Sequence, residues 1–325
     1  MADVSGVWDP TDQREWLRMA ANQSLPALMI SVAITGGAHG KEINPNHPET
    51  PEEQAAQTQE CYRLGASLVH VHVRRPDNLS WTTSKPDDYS KVNALIREKC
   101  PEIIINNTTG PGTGADSEEA RLASTKANPE VCSLDMGPLA VKGKLKKRLP
   151  PLTGRPEDIE FDNDIMTVTY SQTEKYAKIM LEKGIKPELE VWHTGQYWLV
   201  HNLIEKGLVK PPYMIQFVMG FSSGAYATPK ELLHLMECAP RPSVYSVLGV
   251  GLLQIPMVAM GIILGINVRT GMEDNVLYGK RELCTGNAQL VEKLVRMARE
   301  YGREIATPRQ ARLMLGLSEK PSRYD

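Results

Sequence analysis

Two histidines stand two residues apart in Leu68-Val-His-Val-His-Val-Arg-Arg75. The alternation of a strand puts His70, His72 and Arg74 on one face and Val69, Val71 and Val73 on the other. Histidines spaced in that way are placed to ligate one metal ion; the competing reading is a pair of core histidines satisfied by hydrogen bonds. A catalytic two-histidine site asks for a third ligand and an open position. The best donors stand in Val268-Arg-Thr-Gly-Met-Glu-Asp-Asn275. There Gly271 lets the chain turn back, and Glu273 and Asp274 present adjacent carboxylates behind Arg269. Consecutive acids on a bend point in different directions, so one is free to ligate a metal while the other serves as a base. Taken alone, such a pair is more often a solvated loop.

These residues need elements to bring them together. β-branched runs at 27–34, 67–73, 103–107, 131–135, 188–192, 214–219, 244–250 and 263–268 read as strands. Helical periods fall between them at 51–64, 85–99, 117–126, 172–183, 197–206, 229–237 and 287–301, and Thr307-Pro308 opens a last helix. Thr50-Pro51-Glu52-Glu53 combines an N-cap, a proline at the first helical position and acids in the first turn, and Thr228-Pro229-Lys230-Glu231 repeats it. Gly65 and Gly184 stand where helices should stop. About eight strand–helix repeats predict an α/β fold closed into a (β/α)₈ TIM barrel, with an open doubly wound sheet as the alternative. Thr35-Gly36-Gly37 is too short for a dinucleotide fingerprint.

Residues 1–26, with Trp8 and Trp16, read as an N-terminal extension, and 27–325 as the catalytic barrel. The stretch 138–165 breaks the rhythm and reads as a long loop insertion after the fourth strand. In a barrel the active site forms where strands end at their C-terminal side. Polar residues recur at those ends: 106–110 after the third strand, Ser133 and Asp135 in the fourth, Glu190 in the fifth.

The chain has 325 residues, 41% hydrophobic and 23% charged, with a net charge of −2. That balance gives no general attraction to nucleic acid or anionic membrane. The basic run 142–148 reads first as a solvated face and only secondarily as a phosphate site. Five scattered cysteines without a CxxC pair fit reduced thiols in a cytoplasm. The polar, acidic opening residues lack the basic and apolar regions of a secretory signal, and no apolar run reaches membrane-spanning length.

Beyond the local patterns, the sequence resembles the β-keto acid cleavage enzymes. The resemblance runs through Ala33-Ile-Thr-Gly36, Thr50-Pro-Glu-Glu53, Gly65-Ala66, the HxHxR, Thr108-Thr-Gly110 and Pro129-Glu130. It continues through Pro187-Glu-Leu-Glu190, Gln216-Phe-Val-Met-Gly220, Gly271-Met-Glu-Asp-Asn275, Asn287-Ala-Gln-Leu-Val291 and Gly302-Arg-Glu-Ile-Ala-Thr-Pro308. It implies a zinc barrel, usually a homotetramer, that combines a β-keto acid with acetyl-CoA to give acetoacetate and a new acyl-CoA. By motif it implies His70, His72 and Glu273 as Zn²⁺ ligands, Asp274 as general base and Arg269 as the arginine supporting it. It also implies substrate contacts from Thr108, where the family has serine, from Ser133, where it has threonine, and from Glu190. With Arg269 beside it, Asp274 is expected to keep a low pKa.

The chain departs from the lysine-fermentation members of that family. Their glutamate after Ile-Thr-Gly-Ala is Ala38 here, followed by His39; an aromatic–glutamate pair becomes Trp192-His193; an arginine and a histidine become Leu252 and Gln254. These changes spare the metal and base residues and bear on the substrate. Two other classes compete: another zinc barrel of aldolase or amidohydrolase type, for which the remaining histidines (His39, His47, His193, His201, His234) do not fall at the needed strand ends, and a non-catalytic metal-binding relative.

Overall fold

Eight parallel strands close into a barrel in the order β1-β8-β7-β6-β5-β4-β3-β2. They are β1 (Ile30–Ala33), β2 (Leu68–Val71), β3 (Ile104–Asn107), β4 (Val131–Asp135), β5 (Lys186–Val191), β6 (Tyr213–Met219), β7 (Ser243–Gly249) and β8 (Asn267–Thr270). The computed structural model describes residues 7–110, 112 and 117–324. The opening residues 1–6, on which the expectation about a secretory signal rests, lie outside the described residues. No helix among the described residues is long and apolar enough to cross a membrane.

The two-residue period of each strand sorts its side chains. Val69 and Val71 of β2, Ile105 of β3 and Leu134 of β4 share the main core cluster with Ala55 and Cys61 of α2 (Pro51–Leu64) and Val92 and Ile96 of α3 (Pro86–Lys99). The alternate residues face the barrel axis in layers. Met29, Leu68, Ile104, Val131, Met214 and Val244 form an apolar floor, closed from below by Ala306, Ala311 and Leu315. One step toward the C-terminal ends the layer turns polar, with Ser31, His70, Asn106, Ser133, Glu188, Gln216, Ser246 and Arg269, all buried. A dry floor under a polar layer is the arrangement that concentrates charge at the mouth.

Local chemistry explains the helices. The Thr50 side chain accepts from the Glu53 amide, Glu53 reciprocates on the Thr50 amide, and α2 stops at left-handed Gly65. Thr228 caps the helix Pro229–Cys238, and Thr307 caps Pro308–Leu315.

Three expectations are corrected. The predicted eighth strand at 263–268 starts inside the end of a helix, Gln254–Leu264, and the strand itself begins only at Asn267. That helix is apolar nearly all round, so it offers no amphipathic period, and its closing Ile262-Ile263-Leu264 mimics the start of a buried strand. The insertion at 138–165 is mostly an antiparallel ribbon, Leu139–Leu145 paired with Ile159–Met166. Its basic run is largely exposed, but Arg148 is buried at its end. Finally, β2 ends at Val71, and Arg74 belongs to a separate strand, Arg74–Arg75, paired with Asn78–Thr82. Its guanidinium turns away from the histidines, donating to the His39 carbonyl at 2.7 Å and the Ser80 carbonyl at 3.4 Å. In the extension, α1 (Gln13–Ala21) is capped by Asp12, and Arg241 pairs with Asp9 at 2.8 Å.

Candidate metal centre and its arginine hub

His70 ends the polar layer of β2, and His72 follows one period above it. The loop after β8 folds back over them at Gly271, whose φ of +134° and contact with the Ala33 backbone leave no room for a side chain. The Glu273 amide then donates to the Ala33 carbonyl at 3.1 Å, which fixes the bend. Glu273 Oε1 lies 3.7 Å from His70 Nε2 and 3.5 Å from His72 Nε2. One ligand atom from each of these residues falls within 4.8 Å of the other two, and this is the one such group among the described residues. Gly36, at φ +70°, packs against the other side: a Cβ there would lie 2.7 Å from Glu273 Cγ.

The donor set fits a divalent metal. Burial holds His70 well below the usual histidine range, so it presents a neutral imidazole. Burial alone would raise Glu273, yet Arg269 keeps its carboxyl well below the usual range. Its Oε2 is buried with no hydrogen-bond partner.

Arg269, 3% exposed, is the hub of this pocket. It donates to Asp274 from Nε at 2.9 Å and from Nη2 at 3.0 Å, to Glu273 at 2.6 Å and to Glu190 at 3.2 Å. The two carboxylates of the bend therefore do part ways: Glu273 faces the histidines and Asp274 takes a bidentate arginine. The expectation of a low pKa for Asp274 is reversed. Burial pushes it up to about 6, outweighing the pull of Arg269.

Thr108 directly follows β3, and Ser133 lies midway along β4. The Thr108 hydroxyl accepts from the Gly110 amide at 2.9 Å, and the Ser133 hydroxyl accepts from the Thr109 amide at 3.2 Å. Glu190 is buried beside Asp135, and burial raises both carboxyls, Glu190 most strongly. Arg121 lies 4.0 Å from Asp135. Trp192 adds an aromatic edge against Phe221, with ring centroids 5.1 Å apart. Tyr197 does not extend that wall, since it is buried and its hydroxyl donates to the Leu235 carbonyl; Trp198 is 75% exposed.

Sequence reasoning passed over Glu188, although it shares a strand face with Glu190 and the period of two carries that signal. It also passed over a buried ion network. Arg148 of the insertion bonds Glu49 at 2.7 and 2.8 Å and Glu42 at 2.8 Å, and Arg155 bonds Glu42 at 2.7 Å. These residues lie far apart in the chain, and no spacing announces them.

A parallel barrel with a three-donor group and a buried arginine–carboxylate hub at the C-terminal ends of its strands defines the class: a barrel enzyme with a candidate metal centre. The sequence profile described as beta-keto acid cleavage enzyme matches residues 27–317. The chain belongs to that family. It is 38% identical to a 3-keto-5-aminohexanoate cleavage enzyme of Acetoanaerobium sticklandii, over 90% of this chain and 99% of the relative. It is 32% identical to a 3-oxoadipate:acetyl-CoA acetyltransferase of Cupriavidus necator, over 89% of this chain and 94% of the relative. Among solved structures, ObcA with oxaloacetate superposes with a TM-score of 0.63 at 20% identity, covering 84% of this chain and 68% of that one, a likeness of fold.

Proposed function

We propose that this chain is a zinc-dependent enzyme that joins a β-keto acid to acetyl-CoA, releasing acetoacetate and a new acyl-CoA. The observation that carries the reading is the three-donor group at His70, His72 and Glu273 with the Arg269–Asp274 pair directly beside it. The acetyl-CoA named for the Cupriavidus relative supports the co-substrate. Residues 27–325 form the catalytic unit, with 1–26 as an extension, acting as a homotetramer in the cytoplasm.

The bookkeeping balances. A proton leaves the carbon between the keto and carboxyl groups, and that carbon bonds to the acetyl carbonyl carbon, expelling the CoA thiolate. The thiolate then attacks the original keto carbon. The old carbon–carbon bond breaks, acetoacetate leaves with the proton returned to its α-carbon, and the remaining acyl group stays on sulfur.

His70, His72 and Glu273 would hold the zinc ion, which would supply Lewis-acid polarisation of the keto oxygen. Asp274 takes the proton; with its pKa near 6 it is ionised at neutral pH yet basic enough to work. Arg269 holds both of its oxygens and fixes its aim. Thr108 and Ser133 each keep a hydroxyl hydrogen to donate to the substrate carboxylate, since the backbone contacts use them as acceptors. Glu190 lines the tail side with Asp135 and Trp192.

The tail is not that of 3-keto-5-aminohexanoate. Ala38 stands where the lysine-fermentation enzymes carry a glutamate, and one lost charge-assisted hydrogen bond costs on the order of 1–3 kcal/mol. A neutral tail, or a bulky cation against Trp192, fits better.

The test offers purified enzyme, with acetyl-CoA, a panel of 3-keto-5-aminohexanoate, an unbranched neutral β-keto acid and dehydrocarnitine, and follows acetoacetate. Wild type should carry zinc and turn over at least one of the last two faster than the first. Asp274→Asn should keep zinc while losing exchange of substrate α-protons with deuterated water. Acetoacetate formed without acetyl-CoA, or exchange at the wild-type rate in Asp274→Asn, refutes the assignment.

A further inference from the structure

The proposed chemistry uses Asp274 and Glu190 but leaves one buried acid without a task. Glu188, on β5, is fully buried in the polar layer below the mouth. Its Oε2 accepts from Asn106 Nδ2 at 2.6 Å, and its Oε1 has no partner. A carboxyl placed so deep incurs a desolvation penalty that must be offset by something it does for its neighbours.

Asn106 shows what that is. It stands on β3 opposite His70 of β2, paired with it in register. Its Oδ1 is buried without a hydrogen-bond partner, and so is His70 Nδ1 on the neighbouring strand. These two leftover atoms belong to register neighbours on adjacent strands, one an acceptor and the other a ring nitrogen able to donate, and each is the partner at hand for the other. An amide oxygen only accepts, so a ring nitrogen that bonds it must carry the proton. With Nδ1 protonated, the lone pair of the neutral ring sits on Nε2, the atom that lies 3.7 Å from Glu273 Oε1. The amide cannot turn over freely, because its NH₂ is engaged by Glu188. A flip would aim the NH₂ at His70 and set the Asn106 oxygen against the carboxyl oxygen of Glu188.

We propose that Glu188 and Asn106 are positioning residues for the metal centre: Glu188 fixes the orientation of the Asn106 amide, and that amide fixes the tautomer and ring orientation of His70. The inference rests on the reading of His70, His72 and Glu273 as metal ligands. Groups that hold a ligating histidine by its second nitrogen typically set metal affinity by about 10–100-fold.

The experiment titrates Co²⁺ into metal-free wild type, Asn106→Leu, Glu188→Leu and Glu188→Gln, with a chelator as competitor, and records the visible absorption of the bound ion. Circular dichroism and a melting curve check that each variant is folded; Asn106→Ser, which leaves room for water, replaces Asn106→Leu if that chain does not fold. Asn106→Leu and Glu188→Leu should bind Co²⁺ about 10–100-fold more weakly, with a shifted absorption band. Glu188→Gln keeps an oxygen for the Asn106 NH₂ and should restore most of the affinity and the wild-type band. A merely structural role would lower melting temperatures and leave band and affinity alone. Folded Asn106→Leu or Asn106→Ser with wild-type affinity and spectrum overturns the inference while the ligand reading stands. Wild type that binds no Co²⁺, or His72→Ala that binds it as tightly as wild type, overturns the ligand reading and this inference with it.

Discussion

Replacing Arg269 by methionine removes the one cation that directly bonds three buried carboxyls, and the size of the loss can be worked out. The guanidinium donates at 2.6–3.2 Å to Glu273, Asp274 and Glu190. Methionine fills most of the space and returns none of the charge. Leaving one side of a buried ion pair unpaired costs about 3–5 kcal/mol. The protein has an escape, because carboxyls left without their cation take up protons. Burial already raises Asp274 to about 6 and Glu190 well above the usual range, in both cases against the pull of Arg269. Without that pull, both move further up. Between the unfolded carboxylate range and these raised values, the folded state binds more protons than the unfolded one, so stability falls as pH rises. Each carboxyl of this kind contributes about 1.4 kcal/mol per pH unit. The metal-free Arg269→Met chain should therefore lose about 3–5 kcal/mol relative to wild type near pH 8, and markedly less near pH 5.5. Urea unfolding of chelator-treated protein at both pH values measures it. A penalty that is the same at both, or under about 1 kcal/mol near pH 8, would refute the account of Arg269 as the counter-charge of this pocket.

Two further substitutions probe the frame around the site. Gly36 and Gly184 share a φ of +70°, but a Cβ at Gly36 would press on Glu273 while one at Gly184 meets nothing within 4 Å. Gly184→Ala should cost only the backbone strain, about 1–2 kcal/mol, whereas Gly36→Ala should cost more and also weaken metal binding; equal melting shifts with equal metal content would show that the contact is irrelevant. Arg148→Met should release the insertion from Glu49 and leave Arg155 alone on Glu42, destabilising the fold by about 3–5 kcal/mol and speeding amide exchange across Leu139–Leu145 and Ile159–Met166; unchanged exchange there would mean that the ribbon is held by other contacts.

What was legible in the sequence follows from how far each signal reaches along the chain. The strand alternation of His70 and His72 and the bend at Gly271 are local, and they bring out both halves of the candidate metal centre. The spacing of Thr50, Pro51 and Glu53 fixes a helix start because capping acts within one turn. The helix Gln254–Leu264 was lost because an apolar side chain at nearly every position erases the period that separates helix from strand. Asp274 was misjudged for a different reason. Its arginine neighbour was visible five residues away, but its burial depends on loops drawn over the mouth from other parts of the chain, and burial decides the sign of the shift. The ion network of Glu42, Glu49, Arg148 and Arg155 is the extreme case, with partners about a hundred residues apart. The two kinds of residue also differ in their tolerance of change. A ligand set must keep its donors at one spacing on one strand, so it stays readable, whereas a tail-binding wall needs only complementary shape and charge from whichever strand ends surround it. Ala38, Asp135 and the Glu190–Trp192 pair come from three separate segments, so the reaction class is legible in this sequence while the identity of the tail must come from the substrate panel.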